Sequence, residues 1–195
     1  MILTAMLLAG GHARRMGKDK ATLSIGGELL WRRQLRLLEA LPGAEVWVSA
    51  RTRPAWCPAA IKFVADSPPS RGPLSGLAAG LDRLKTTHLL VLAIDLPRMC
   101  VEHLRRLWTS ARPGMGVIPW QHDYFEPLCA IYPAEAAPLA RERLMHSDAS
   151  LQRLAHELLQ ESLVDKYVLS PEEAGFYLNV NRPSDLPASA LEGPA

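Results

Sequence analysis

The stretch Ile2-Leu3-Thr4-Ala5-Met6-Leu7-Leu8-Ala9-Gly10-Gly11-His12-Ala13-Arg14-Arg15-Met16-Gly17-Lys18-Asp19-Lys20 decides the fold. An apolar run short enough for one strand feeds directly into a loop that holds Gly10, Gly11 and Gly17. Glycines let bare backbone N–H groups approach an anion, and the Arg and Lys side chains of the loop add charge that phosphate would neutralise. The loop reads as a triphosphate cradle. It is not a Walker A loop, because Lys18 is followed by Asp19 and the step from Gly11 to Gly17 is too long, and it is not G-x-G-x-x-G. A different class of nucleotide binder is indicated.

Working outward, short apolar runs alternate with segments of helical period, the pattern of an α/β chain with a mostly parallel sheet covered on both faces. Residues 2–8 are the first expected strand. Residues 29–40 form an expected amphipathic helix, with Trp31, Leu35 and Leu38 on one stripe and Arg32, Arg33 and Arg36 on another. Strands are expected at 45–50, 61–65, 88–94, 115–118, 128–132 and 163–168, and helices at 74–81, 101–111 and 134–159, the last broken near 146–148. Small residues along 74–81 permit a close neighbour. The chain has 195 residues, 48% hydrophobic, which suits one domain over residues 1–186 followed by a frayed tail at 187–195 rich in Pro, Ala and Gly.

Composition excludes several classes. A formal net charge of +2, with the positive excess confined to one loop and one helix, does not describe a nucleic-acid surface. Cys57, Cys100 and Cys129 are odd in number and contain no C-x-x-C, so neither a disulfide framework nor a zinc site is suggested, and a cytoplasmic setting fits. The N-terminal run reads as a strand and not as a signal peptide. No apolar stretch approaches the ~18 residues of a membrane span. Neither H-E-x-x-H nor G-x-S-x-G occurs.

In open α/β sheets ligands sit at the carboxyl ends of strands, and the polar residues of this chain fall there. Asp95 follows the apolar run 89–94. A carboxylate so placed suits Mg²⁺, which takes one or two carboxylates beside waters and phosphate oxygens; the competing reading is a cap on a helix starting near Pro97. Lys20 can balance charge on a departing pyrophosphate or pair with Asp19 in solvent. Asp66 can accept a ribose hydroxyl or a guanine N–H, or form an Asx turn before the prolines. Asn179 and Asn181 lie on one face of an alternating stretch, and Glu126 precedes a strand; each is a candidate for an acceptor pocket.

Leu8-Ala9-Gly10-Gly11-x-x-x-Arg15-Met16-Gly17-x-Asp19-Lys20 resembles the signature of the nucleotidyltransferases, and the doubled glycine is similar to that of the molybdenum cofactor guanylyltransferases. Gly72-Pro73-Leu74-Ser75-Gly76-Leu77 resembles that family's G-P-L-A-G-L, Asp95-Leu96-Pro97 its D-x-P, and Asn179-Val180-Asn181-x-Pro183-x-Asp185-Leu186 its N-V-N-T-P-E-D-L, in the same order. The resemblance implies a three-layer α/β Rossmann-like fold that binds GTP and Mg²⁺ and transfers GMP to molybdopterin carrying molybdenum, with release of pyrophosphate. It also implies contacts with cofactor-biosynthesis proteins and molybdoenzyme chaperones. By motif match, Leu8, Ala9, Gly10, Gly11, Lys20, Asp66 and Asp95 would bind the nucleotide, Asp95 would hold the metal, and Lys20, Arg15 and Asp95 would serve catalysis.

Three positions depart from the family pattern: Ile94 where Cys is frequent, Ser49-Ala50-Arg51 where an asparagine is frequent, and Glu126 where His or Gln is common. Cytidylyltransferases for the same cofactor more often read A-A-G in place of Ala9-Gly10-Gly11, which favours guanine. The alternatives are that cytidylyl transfer, transfer to a sugar or alcohol phosphate, and a non-catalytic nucleotide-binding module.

Overall fold

The structure, a computed structural model, describes residues 1–10, 20–68 and 70–179. β1 (Leu3–Leu8) is buried throughout. A small hairpin follows, β2 (Ser24–Ile25) and β3 (Glu28–Leu29), turned by Gly26 and Gly27, whose φ angles of 56° and 79° are ones L side chains rarely adopt. Next come α1 (Leu30–Glu39), β4 (Glu45–Ala50), β5 (Lys62–Ala65), α2 (Pro73–Arg83) and β6 (His88–Ala93). α3 (Val101–Ser110) leads to β7 (Gly116–Gln121), β8 (Tyr124–Phe125) and β9 (Cys129–Pro133). α4 (Ala137–Met145), α5 (Leu151–Gln160), β10 (Val164–Val168) and α6 (Pro171–Ala174) complete the order, with a 3-10 turn at Gly175–Tyr177.

The main sheet runs β10-β7-β9-β6-β1-β4-β5, with β8 paired to β7. β1 is parallel to β4 and β6, β4 to β5, and β7 to β10, as the continuous apolar runs predict. β9 runs against β6 and β7. The reversal begins at the β7–β8 link, where His122 and Asp123 both have positive φ, 45° and 64°. Two successive left-handed residues make the tight turn that joins antiparallel strands.

Side chains alternate across the strands and seed two cores. Ala5, Leu7, Val48, Leu90 and Leu92 meet Leu35 and Leu38 of α1 and Leu104 and Leu107 of α3 on one face. Met6, Leu8, Trp47, Leu89 and Val91 meet Leu74 and Leu77 of α2, Leu144 of α4 and Leu154 of α5 on the other. The result is the expected three-layer α/β architecture. The expected close neighbour of α2 is β1: a Cβ on Gly80 would lie 2.6 Å from Met6 Cε. The expected 134–159 helix is two helices, and Ser150 caps the second through the Arg153 N–H. Among the described residues no helix is long and apolar enough to cross a membrane.

The order of connections matters most. From β1 the chain moves out to β4 and β5, then crosses back to β6 on the other side of β1. Strand order therefore reverses between β1 and β6, and the crevice outside their carboxyl ends is where such sheets bind ligands.

Candidate nucleotide site

Register builds the crevice. Leu8 pairs with Ser49 on one side and Ala93 on the other, and Ala50 pairs with Ala65. The residues that follow these ends, Ala9-Gly10, Asp66 and Asp95, thus leave the sheet along one edge. Main-chain hydrogen bonds tie the exits together: Ala9 N–H to Ser49 O (2.8 Å), Ile94 N–H to Leu8 O (3.1 Å) and Asp66 N–H to Ala50 O (3.1 Å). Leu8 is itself buried, and its carbonyl accepts from the Ile94 N–H.

Asp66 lies beside the start of the glycine loop, its Oδ2 being 3.4 Å from where a Cβ on Gly10 would sit. Ser49 Oγ donates to its Oδ1 at 3.1 Å. Burial pushes the Asp66 carboxyl above the usual range, and the Ser49 bond and the Arg51 charge pull it partly back. The Asx-turn reading loses its geometry here, because the residue two further on, Pro68, has no N–H to give. α2 begins beside this group. Gly72 enters at φ 73°, Pro73 fills the first helical position, and a Cβ on Gly76 would stand 2.8 Å from Leu8 Cδ2, 3.0 Å from Ser49 Oγ and 3.3 Å from Asp66 Oδ1.

Asp95 is half-buried in the turn that closes β6. It does not cap a helix at Pro97, as the alternative reading had it: α3 starts at Val101, with Cys100 in the capping position. α1 holds the Asp95 turn instead. Gln34 Nε2 donates to Leu96 O at 2.7 Å and to Ile94 O at 3.4 Å, and Arg33 Nε donates to Pro97 O at 2.8 Å. Arg33, expected on a solvent stripe, thus works as a clamp. Gln34 is fully buried. Its only sequence signal is a polar residue inside the apolar stripe of an amphipathic helix.

On the other side of β6 lies Glu126. Cys129 of β9 pairs with Leu92, and Ala93 N–H donates to Leu128 O at 2.7 Å, so residues 126–128 share the edge with Asp95. Gln121 Nε2 donates to Glu126 Oε1 at 2.7 Å. Burial pushes the Glu126 carboxyl up, and the Gln121 bond opposes it. From β5 to β6 the edge spans three strand spacings, about 14 Å, so a nucleotide along it can meet Asp66 and Asp95 at its two ends.

Ala9, Gly10, Asp66 and Asp95 thus line one edge of the sheet at the carboxyl ends of β1, β5 and β6, with Asp66 against Gly10 and Glu126 beyond Asp95. Asn179 is exposed just after the Gly175–Tyr177 turn, and the adjoining Leu178 and Asn179 are not strand. Gly11, Arg15 and Asn181 lie outside the described residues, as do the side chain of Lys20 and the tail at 187–195. Ser49, Arg33 and Gln34 join the edge residues through contacts to which the sequence alone assigns no role. Among the described residues no three His, Cys, Asp or Glu groups converge on one point. A site with a single carboxylate fits Mg²⁺ shared with a phosphate tail, and not an all-protein cage.

Residues 5–163 match the family described as the MobA-like NTP transferase domain. A probable molybdenum cofactor guanylyltransferase of Opitutus terrae is 35% identical over 186 residues, covering 94% of this chain and 92% of the relative. The molybdenum cofactor guanylyltransferase of Pseudomonas fluorescens is 30% identical, covering 91% of this chain and 88% of its own length. In fold, the chain resembles the crystal structure of molybdopterin-guanine dinucleotide biosynthesis protein A from Archaeoglobus fulgidus, with TM-score 0.71, 24% identity and coverage of 93% and 94%.

Proposed function

The chain belongs to the MobA-like NTP transferase domain family, and from that premise we propose that it transfers GMP from GTP to the terminal phosphate of molybdenum-bearing molybdopterin, releasing pyrophosphate. The observation that carries this reading is the placement of Gly10, Asp66 and Asp95 along one edge of the sheet, flanking the strand-order reversal at a spacing that suits a nucleotide. The names of the relatives and the Ala9-Gly10-Gly11 run favour guanine over cytosine.

In this reading the Gly10 and Gly11 amides, Arg15 and Lys20 grip the triphosphate, with Ala9 and Leu8 setting the loop's origin. Asp66 accepts from the nucleoside, and Glu126, Asn179 and Asn181 face the acceptor. Asp95 would hold Mg²⁺, which when bound offsets phosphate charge and makes the α-phosphorus more electrophilic. The acceptor phosphate is itself the nucleophile. The chain therefore has to align two phosphates and neutralise charge, without a covalent intermediate. A cytoplasmic setting and hand-over contacts with cofactor-biosynthesis proteins and molybdoenzyme chaperones belong to the same proposal.

The test is pyrophosphate release from purified protein with molybdopterin, Mg²⁺ and each nucleoside triphosphate in turn. GTP is expected to support release, and Asp95→Asn to lower it by about 10²- to 10³-fold, the size of losing one preorganised electrostatic group. Release with CTP in place of GTP would overturn the guanylyl assignment. Unchanged release in the variant would remove the metal role of Asp95.

A further inference from the structure

Behind the acceptor end of the crevice is a buried polar chain that the nucleotide chemistry does not use. Ser170 caps α6 reciprocally with Glu173: Glu173 N–H donates to Ser170 Oγ (3.3 Å) and Ser170 N–H donates to Glu173 Oε2 (3.1 Å). The other carboxylate oxygen accepts from Tyr167 Oη (2.8 Å) and Arg106 Nη1 (3.1 Å) and lies 3.3 Å from His103 Nδ1. His103, on α3, is completely buried and boxed by the rings of Tyr167, Phe176 and Tyr177. Its Nε2 shares a 2.7 Å hydrogen bond with Tyr177 Oη. Tyr177 is buried in the same core cluster as Cys129, three residues beyond Glu126.

One phenol therefore ties α3 to the last described segment of the chain, packed in the core that holds the start of β9. A phenylalanine would fill the same space without asking for a buried partner. What a satisfied buried pair adds is a single orientation, since each polar group has a geometry to meet. Asn179 stands two residues after Tyr177, at most about 7 Å of extended chain away. Fixing the ring fixes where Asn179 can reach.

We propose that the His103–Tyr177 hydrogen bond, backed by Glu173, is a positioning device that holds Asn179 at the acceptor end of the crevice. Tyr177 and His103 then set affinity for the molybdopterin phosphate and leave nucleotide binding alone. The proposal rests on the reading of Asn179 as an acceptor contact.

The experiment titrates molybdopterin at saturating Mg²⁺-GTP, following pyrophosphate, and measures GTP affinity separately by calorimetry, for the full chain and for Tyr177→Phe, His103→Gln and Asn179→Ala. Tyr177→Phe should raise the acceptor KM about five- to tenfold, the worth of one hydrogen bond's ordering, with kcat within about twofold and GTP affinity unchanged. His103→Gln keeps an amide that can accept from or donate to the Tyr177 hydroxyl near the Nε2 position and should stay close to the parent. An unaltered acceptor KM in Tyr177→Phe, beside a raised one in Asn179→Ala, overturns the proposal. So does a parallel loss of GTP affinity. An unaltered KM in Asn179→Ala instead removes the reading of Asn179, and the proposal with it. If Tyr177→Phe does not fold, Tyr177→Phe with His103→Leu replaces it, because removing both partners leaves no buried polar group unpaired.

Discussion

Gly76 has no room for a side chain. Leu8, Ser49 and Asp66 already occupy the volume a Cβ would take, at 2.8, 3.0 and 3.3 Å. Overfilling such a site costs about 1–3 kcal/mol, and part of the displacement falls on the Asp66 carboxylate. Gly76→Ala is expected to lower the unfolding free energy measured in urea by that amount and to weaken GTP binding at the same time; a variant that loses stability but binds GTP normally would show that Asp66 does not touch the nucleotide. At this scale the sequence was readable where a residue's place in the fold follows from a local signal. Asp66 and Asp95 could be picked out because each ends an apolar run. Ser49 and Gln34 could not, because the groups that give them meaning, the Asp66 carboxylate and the Ile94 and Leu96 carbonyls, lie 17 and about 60 residues away along the chain.

α1 does two things at once: its apolar stripe seals one core, and Arg33 and Gln34 grip the turn that carries Asp95. Gln34→Leu keeps the volume and removes the grip, leaving the Leu96 and Ile94 carbonyls without that donor, at a cost of about 1–3 kcal/mol. The larger consequence is expected in turnover. A carboxylate displaced by an ångström can cost up to about 10²-fold, so kcat for pyrophosphate release should fall well beyond what the loss in melting temperature explains; an unchanged kcat would show that the turn holds itself. Longer elements followed from periodicity, as α1 at Leu30–Glu39 against an expected 29–40 illustrates. The two-residue strands β2, β3 and β8 did not, because so short a run has no alternation to detect, although Gly26-Gly27 marks the first hairpin. Ser170-Pro171-Glu172-Glu173 carries the S-x-x-E signature of a capping box, so α6 was within reach. That Glu173 also anchors a histidine was not, since the contact bridges 70 positions of sequence and is made only by packing.

For the whole molecule, the buried polar chain predicts acid sensitivity. Burial holds the His103 imidazole below its ordinary value near 6.5, although Glu173 opposes the shift. Burial pushes the Glu173 carboxyl up, but its hydrogen bonds from Ser170, Tyr167 and Arg106 and the nearby imidazole together hold it below 4.5. Both groups bind fewer protons folded than unfolded, so their contribution is present above those values and lost as pH falls through the folded ones. Asp66 and Glu126 are shifted the other way; their contribution is present below their ordinary values and lost as pH rises through the folded ones. Melting temperature should therefore fall as pH drops from 7 toward 5, where His103 dominates, and His103→Gln should flatten that slope. An identical slope in the variant would place the acid sensitivity elsewhere. The alternating α/β pattern was visible in sequence, and so was the cover on both faces. The order reversal between β1 and β6 was not, because pairing of strands distant in sequence leaves no local trace.

The two halves of the crevice are built by different kinds of chain path. Gly10, Asp66 and Asp95 hang from strands linked by parallel crossovers, whereas Glu126 sits in the break between β8 and β9, the two pieces of the strand that returns antiparallel along β7 between Gly116 and Pro133. That hairpin has only two covalent junctions, but it sits inside the sheet, with β9 paired to β6 and β7 paired to β10. If Glu126 serves the acceptor as proposed above, a graft that retargets the enzyme has to carry over the backbone register toward both neighbours along with the loop, so diversification at that end proceeds by changing side chains on a fixed frame.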